Sequence, residues 1–240
     1  MGCCPHRSHH FLTIKTSFTS ETNGRPITSQ RRFSGDTLTY HHARSSVMEL
    51  TFELAGNSLC LDFTNTVNAR PTAKRDLLET PEGLSAWLKA SGLDHGHVPS
   101  AEPPVLAELR EFRELVYAVF HDVARGMPMP IGPLTSIVSR HAAALSSATW
   151  EMVDDRLIPG WSLVHPSQIP DLVAASAVQL LQSGPLSRLG QCPSCGWLFL
   201  DTSRNGKRRW CNMATCGSRD KSSRYFDRTK RGTPQPPHRT

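Results

Sequence analysis

The chain has 240 residues, 38% of them hydrophobic, enough for one or two domains with ordinary cores. No apolar run reaches the eighteen or so residues of a membrane span, which excludes a helical integral membrane protein. The net charge of +6 is split: residues 1–47 carry six Lys/Arg against two Asp/Glu, residues 48–186 nine against sixteen, and residues 187–240 twelve against three. A polyanion is therefore expected to be drawn to the C-terminal fifth alone.

Residues 1–47 are rich in Ser, Thr, His and Arg and lack periodicity, so they are expected to be disordered or to precede the true start of translation at Met48. Phe11, Leu12 and Ile14 are cut off by Lys15, too short a run for a signal peptide, and a cytoplasmic protein is expected. Phe52 and Leu54 alternate, as do Leu59, Leu61 and Phe63 after a Gly56-Asn57-Ser58 turn; the pattern predicts two short strands. Thr80-Pro81 is an N-cap with proline at the first helical position, and Leu84, Trp87 and Leu88 share one face of the helix that follows. The longest helix is predicted from Pro103 to Arg125, ended by Gly126, with a second over about Leu134 to Leu145. A hairpin is read from Trp150–Val153 and Leu163–Val164, turning at Pro159-Gly160. A third helix runs from Pro170 to Gln182. Residues 48–186 thus read as one α+β domain.

Seven cysteines, four of them clustered, point to metal rather than disulfides. Cys192 and Cys195 are two residues apart, fifteen residues separate them from Cys211, and Cys216 follows after four more. Two intervening residues let one tight turn aim both sulfurs at a single ion, with Gly196 supplying positive φ. Trp197–Asp201 alternates as a strand, Asn205-Gly206 predicts a hairpin returning along Lys207–Trp210, and Cys216-Gly217 opens a helix, the order of a treble clef. Four thiolates leave no open coordination position, so one structural zinc ion is expected. Trp197 and Trp210 are expected to pack over it. Cys60, in an apolar run, reads as a small buried hydrophobe.

In the last helix Lys221, Arg224, Arg228 and Arg231 fall within about 40° of one meridian, a stripe without an acid, with Phe226 and Ser222 turned toward the hairpin as its anchor. Arg204, Lys207, Arg208 and Arg209 on the hairpin, and Arg219 at the helix start, add charge. This layout suits a helix laid along a phosphate backbone or in a major groove, so DNA is the expected partner. Basic loops near aromatics also suit single strands, which keeps RNA open. Asp201 and Asp227 read as partners for local arginines.

At these residues the sequence resembles the CGNR zinc finger: Cys192-x-x-Cys195, Trp197-Leu198-Phe199-Leu200-Asp201, Arg209-Trp210-Cys211 and Cys216-Gly217-Ser218-Arg219. Leu59 to Thr66, then Asp76-Leu77-Leu78 and Leu84-x-x-Trp87-Leu88, are similar to the opening of the ABATE domain that precedes the finger in a bacterial family. The resemblance implies an α+β sensing domain over residues 48–186, a zinc DNA-binding module over 187–231 and a tail over 232–240, acting as a nucleoid-associated transcription regulator. Ser218 stands where the family usually has asparagine; that position either caps or braces the helix, a role serine can fill, or reads a base edge.

Asp62, Asn65 and Thr66, with Arg70, either line a pocket for a small anionic effector or satisfy local backbone groups. No nucleophile–base set, phosphate loop or open metal position is present, so no enzyme is expected. The competing reading is a zinc-stabilised interaction or RNA-binding module, with the acidic domain packed on the basic one and masking its stripe. Nothing in the sequence fixes the oligomeric state.

Overall fold

Helix α3 (Pro103–Ala124) is the axis on which the other elements pack. The computed structural model describes residues 52–232, apart from 71, 73, 74, 95–97 and 154, and without the side chains of 153 and 227–232. The leader 1–47 and the tail beyond Gly232 lie outside the described residues. Among the described residues, no helix is long and apolar enough to cross a membrane.

α3 buries Leu106, Leu109, Arg113, Val116, Val119 and Phe120, a 3–4 repeat interrupted by one cation. Its start at proline and its stop before Gly126 match the sequence reading. α2 (Pro81–Ala90) opens as expected, with the Thr80 hydroxyl accepting from the Gly83 amide at 3.1 Å. α4 (Ile131–Leu145) and α5 (Ile169–Ser183) begin three residues and one residue earlier than the periodicity suggests. α5 is buried along nearly its whole length against α1 and α4.

Two strand expectations fail. Leu59–Thr64 is not a strand but a helix, α1. Alternation of Leu59, Leu61 and Phe63 is no guide here, because Cys60, Asp62 and Thr64 between them are buried as well. Phe52–Ala55 forms no ladder. The hairpin is also displaced: β3 (Thr149–Val153) pairs with β4 (Arg156–Gly160), and Pro159-Gly160 closes the second strand instead of turning the chain. Asp155, in the turn between them, adopts φ 59°, a left-handed conformation that aspartate tolerates. A minimal ladder, β1 (Val67–Asn68) with β2 (Arg75–Asp76), links α1 to α2.

β5 (Leu189–Gln191) and β6 (Leu198–Leu200) pair antiparallel and lie against α1 and α3. Leu189, Leu198 and Leu200 belong to the same buried cluster as Phe63, Trp87, Leu109 and Phe120. One apolar core therefore extends past residue 187, and the segment that carries the cysteines is built onto it. The acidic and basic parts do pack together, through leucines and backbone rather than through opposite charge.

Candidate metal centre and its basic face

The sulfurs of Cys192, Cys195, Cys211 and Cys216 lie within 4.8 Å of one another, and all four residues are buried. Cys195 Sγ is 3.5 Å from Cys211 Sγ, which is 3.6 Å from Cys216 Sγ. Four sulfurs at 2.3 Å from a tetrahedral ion stand about 3.8 Å apart, so the set fits such an ion. The first pair is set by a tight turn: the Gly196 amide donates to the Cys192 carbonyl at 2.9 Å, and Gly196 takes φ 77°, which favours glycine. Trp197, Trp210, Ala55 and Phe199 enclose the sulfurs.

The thiols are unequal as acids. Hydrogen bonds from Cys195 and Cys211 push Cys192 well below the ordinary thiol range, while the bond to Cys192 raises Cys195 to about 12. Thiols this close resist carrying several negative charges together, a resistance that a dication among them relieves.

β6 does not pair with a returning strand at Lys207–Trp210. Its second edge is already occupied: Asn65 Nδ2 donates to the Leu198 carbonyl and its Oδ1 accepts from the Leu198 amide, both at 2.9 Å. The Leu200 amide donates to the Gly56 carbonyl at 2.9 Å, and Asn57 Nδ2 to the Leu200 carbonyl at 2.8 Å. Residues 201–210 instead form a loop gathered by Asp201, whose carboxylate accepts from the amides of Ser203 and Arg208, both at 2.8 Å. The bonding to Ser203, then that to the Arg208 amide, holds this carboxyl below its usual range. Asp201 thus serves the loop backbone rather than an arginine side chain.

Arg208, expected among the nucleic-acid contacts, turns inward. Its guanidinium lies 4.6 Å over the Phe199 ring, and it donates to the carbonyls of Trp210, Ala55 and Cys211. Arg204, Lys207 and Arg209 remain exposed, with Arg209 4.8 Å over the Trp210 ring.

The last helix begins earlier than Cys216. Asn212 caps a wide π-type turn, Met213–Gly217, accepting from the amides of Ala214 and Thr215 at 2.6 and 3.3 Å, and α6 (Ser218–Gly232) continues from it. Ser218 is therefore inside the helix, its hydroxyl donating to the Met213 carbonyl at 3.2 Å, and the capping role belongs to Asn212. A Cβ at Gly217 would fall 2.4 Å from Met213 Sδ, an exposed side chain able to move aside, and 3.2 Å from the Trp210 ring.

α6 packs chiefly on the turn that starts it. Arg219, Lys221 and Arg224 are exposed, and Arg224 is ion-paired with Asp220, so the stripe is not free of acid. Phe226 is 63% exposed, so it is not the buried anchor the sequence suggests. The acidic domain leaves the described cations of α6 open. The side chains of Asp227, Arg228 and Arg231 lie outside the described residues.

A family model described as "ABATE: Putative stress-induced transcription regulator" matches residues 57–184, more than half the chain. The chain belongs to the ABATE family. The CGNR zinc finger model matches residues 188–229, immediately after it. No curated protein matches the chain. Neither family is described as an enzyme.

Asp62, Asn65, Thr66 and Arg70 all lie where the ABATE domain meets the finger, with partners inside the chain. Asn65 holds Leu198, as described. Thr66 donates to the Phe63 carbonyl at 2.8 Å and accepts from Arg113 at 3.2 Å. Arg70 lies 3.5 Å over the Tyr117 ring, donates to Glu114 and to the Thr64 carbonyl at 2.7 Å each, and its amide donates to the Cys195 carbonyl at 2.9 Å. Burial works against the Glu114 carboxylate, but Arg70 and Arg113 hold its pKa below the usual range.

The sequence reading missed Arg113, Tyr117 and Gln191. Arg113 binds Asp76 with two bonds, at 2.6 and 2.7 Å, on the buried face of α3. Tyr117 donates to the Gly196 carbonyl at 3.2 Å and accepts from Gln191 at 2.9 Å. The available signal was Arg113 itself, a cation inside an apolar stripe that demands an acid. Trp197 completes the joint, donating from its indole to the Val67 carbonyl at 2.6 Å.

Asp62 is buried against the Gly56 amide at 2.7 Å, and burial pushes its carboxyl from 3.8 up to about 6. Between these two values the folded chain keeps a proton that the unfolded chain releases, so rising pH removes stability across that window. Asp62→Asn retains an acceptor and avoids the charge. It is expected to be more stable than the parent at pH 7.5 by about 1–3 kcal/mol, with the difference gone near pH 4. Urea unfolding at both values checks this; an equal difference at both would exclude burial of charge as the cause.

Proposed function

We propose that the chain is a DNA-binding transcription regulator in which one structural zinc ion, held by Cys192, Cys195, Cys211 and Cys216, presents a basic loop and helix to nucleic acid. The observation that carries this reading is α6. Its Arg219 and Lys221 are exposed, as is Arg224 in its pair with Asp220, and Arg204, Lys207 and Arg209 are exposed on the loop. Exposed cations on a helix suit a phosphate backbone and the groove beside it. Arg208 and the zinc ion would then act as braces rather than contacts. Arg228 and Arg231 fall on the same helix and extend the proposed contact set. The ABATE domain is the proposed sensor of a small molecule or partner. The joint at Asn65, Arg70 and Tyr117 offers a route from α3 to the finger.

The test uses the full zinc-loaded chain and a labelled duplex in an anisotropy titration. Contact with about four phosphates gives a slope of log K against log salt near −3.6. Arg219→Glu with Lys221→Glu should weaken binding tenfold or more and flatten the slope, whereas absence of binding at low salt would end the reading. A second reading, single-stranded nucleic acid, is favoured by exposed Tyr225 and Phe226 beside the cations. Tighter binding to single strands than to duplex would select it.

A further inference from the structure

Just before α1 the chain crosses the finger. Residues 52–57 form no ladder, yet they are tied to the cysteine module at several points. The Phe52 ring lies 6.0 Å from that of Trp197. Ala55 is buried among the four cysteines, and its carbonyl accepts from Arg208 at 3.1 Å. Gly56 and Asn57 hold the two sides of Leu200, as described. The same segment is fixed to the body, because the Gly56 amide donates to Asp62 of α1. A Cβ on Gly56 would fall 2.8 Å from the Asp62 backbone nitrogen, so glycine alone lets the chain lie this close to α1. Residues 52–56 precede both family matches.

Glu53 touches the part of the finger that matters most for α6. Its carboxylate accepts from Asn212 Nδ2. Asn212 in turn caps the turn from which α6 starts, through Oδ1. An asparagine amide has a donating end and an accepting end, and a carboxylate tolerates only the donating one. Glu53 therefore draws Nδ2 toward itself and leaves Oδ1 facing the amides of Ala214 and Thr215.

The turn sets the direction of the helix, since α6 packs chiefly on it. Cys211 and Cys216 bracket it, and two points of attachment leave rotation about the line between them. A third attachment, held from outside the module, resists that rotation. A tilt of about 10° at the turn would swing the far end of this 15-residue helix, about 22 Å away, by about 4 Å. That is more than a hydrogen-bonded phosphate contact tolerates.

We propose that residues 52–57 are a strap that positions α6 for nucleic acid, with Glu53 as the positioning residue acting through Asn212. Its consequence for binding rests on the reading of α6 given above, whereas its effect on the turn does not.

The test compares Glu53→Ala and Glu53→Gln in the full zinc-loaded chain. Glu53 is exposed, so both variants should melt with the parent. In Glu53→Ala the Ala214 and Thr215 amides should exchange with solvent about three- to tenfold faster by NMR, the range of a lost helix cap. Glu53→Gln can still accept from Asn212 but no longer dictates which end it meets, so it should fall between. Duplex anisotropy then separates position from charge. Removing an acid beside a basic face strengthens binding by charge alone, and equally in both variants. Positioning predicts that Glu53→Ala binds more weakly than the parent, and more weakly than Glu53→Gln of the same charge. Unchanged exchange in Glu53→Ala overturns the proposal, as does duplex binding by Glu53→Ala that equals or exceeds the parent's or matches that of Glu53→Gln. A parent that binds no duplex ends the nucleic-acid reading instead, and exchange at Ala214 and Thr215 alone then decides whether the strap holds α6.

Discussion

Cys195→Ser is expected to lose the metal and, with it, order well beyond the finger. Structural zinc contributes about 10–16 kcal/mol in small fingers, more than the margin by which most domains are folded. Cys195 and Gly196 are also where the ABATE domain grips the module, through the Arg70 amide and the Tyr117 hydroxyl. Leu189, Leu198 and Leu200 are core residues for α1 and α3 as much as for the finger. The variant should therefore release zinc in a colorimetric assay and lose amide protection in α1 and along the Arg113–Tyr117 part of α3. If only residues 188–229 lose protection, the shared core does not couple the two parts.

Asn65→Ala is expected to destabilise the protein by about 2–5 kcal/mol in urea unfolding, as large an effect as a core truncation. Its side chain makes both hydrogen bonds to the Leu198 backbone, and alanine would leave a buried amide and a buried carbonyl unmatched. Asn65→Asp keeps the acceptor but sets a buried carboxylate against the Leu198 carbonyl, so at neutral pH it should cost at least as much as alanine, and less once the carboxyl is protonated at low pH. A residue serving mainly to bind an effector would behave otherwise: alanine would leave the ligand-free protein as stable as before. An unchanged unfolding midpoint would return Asn65 to that role.

These residues show where the sequence was legible. The cysteine spacing pointed to the four thiols that the fold brings together, because two-residue and four-residue gaps leave few ways to point the sulfurs. The major helices were legible because Thr80, Pro103 and Gly126 mark boundaries and the apolar stripes are wide. α1 was not, since a short segment buried on every side has no face for periodicity to reveal. Asn205-Gly206 turned the chain as its residues favour, with Gly206 at φ 59°, but the edge of β6 had been taken by residues 56–65, far away in sequence. Lys207, Arg208 and Arg209 look alike in a row. Only the carbonyls of Ala55, Trp210 and Cys211 decide that the middle one turns inward.

The shared core also bears on how the protein is made. Residues 56–65 leave the ribosome early, yet the strand they clasp is among the last parts to emerge. A chain released by a premature stop before Leu198 lacks two leucines of its own interior, Leu198 and Leu200, and two of the four clustered cysteines, Cys211 and Cys216. Such a fragment would be missing part of the core on which α1 and α3 pack, and proteases would be expected to clear it. A cell carrying this gene would therefore be expected to hold the complete chain or none, and not a pool of fingerless ABATE domains.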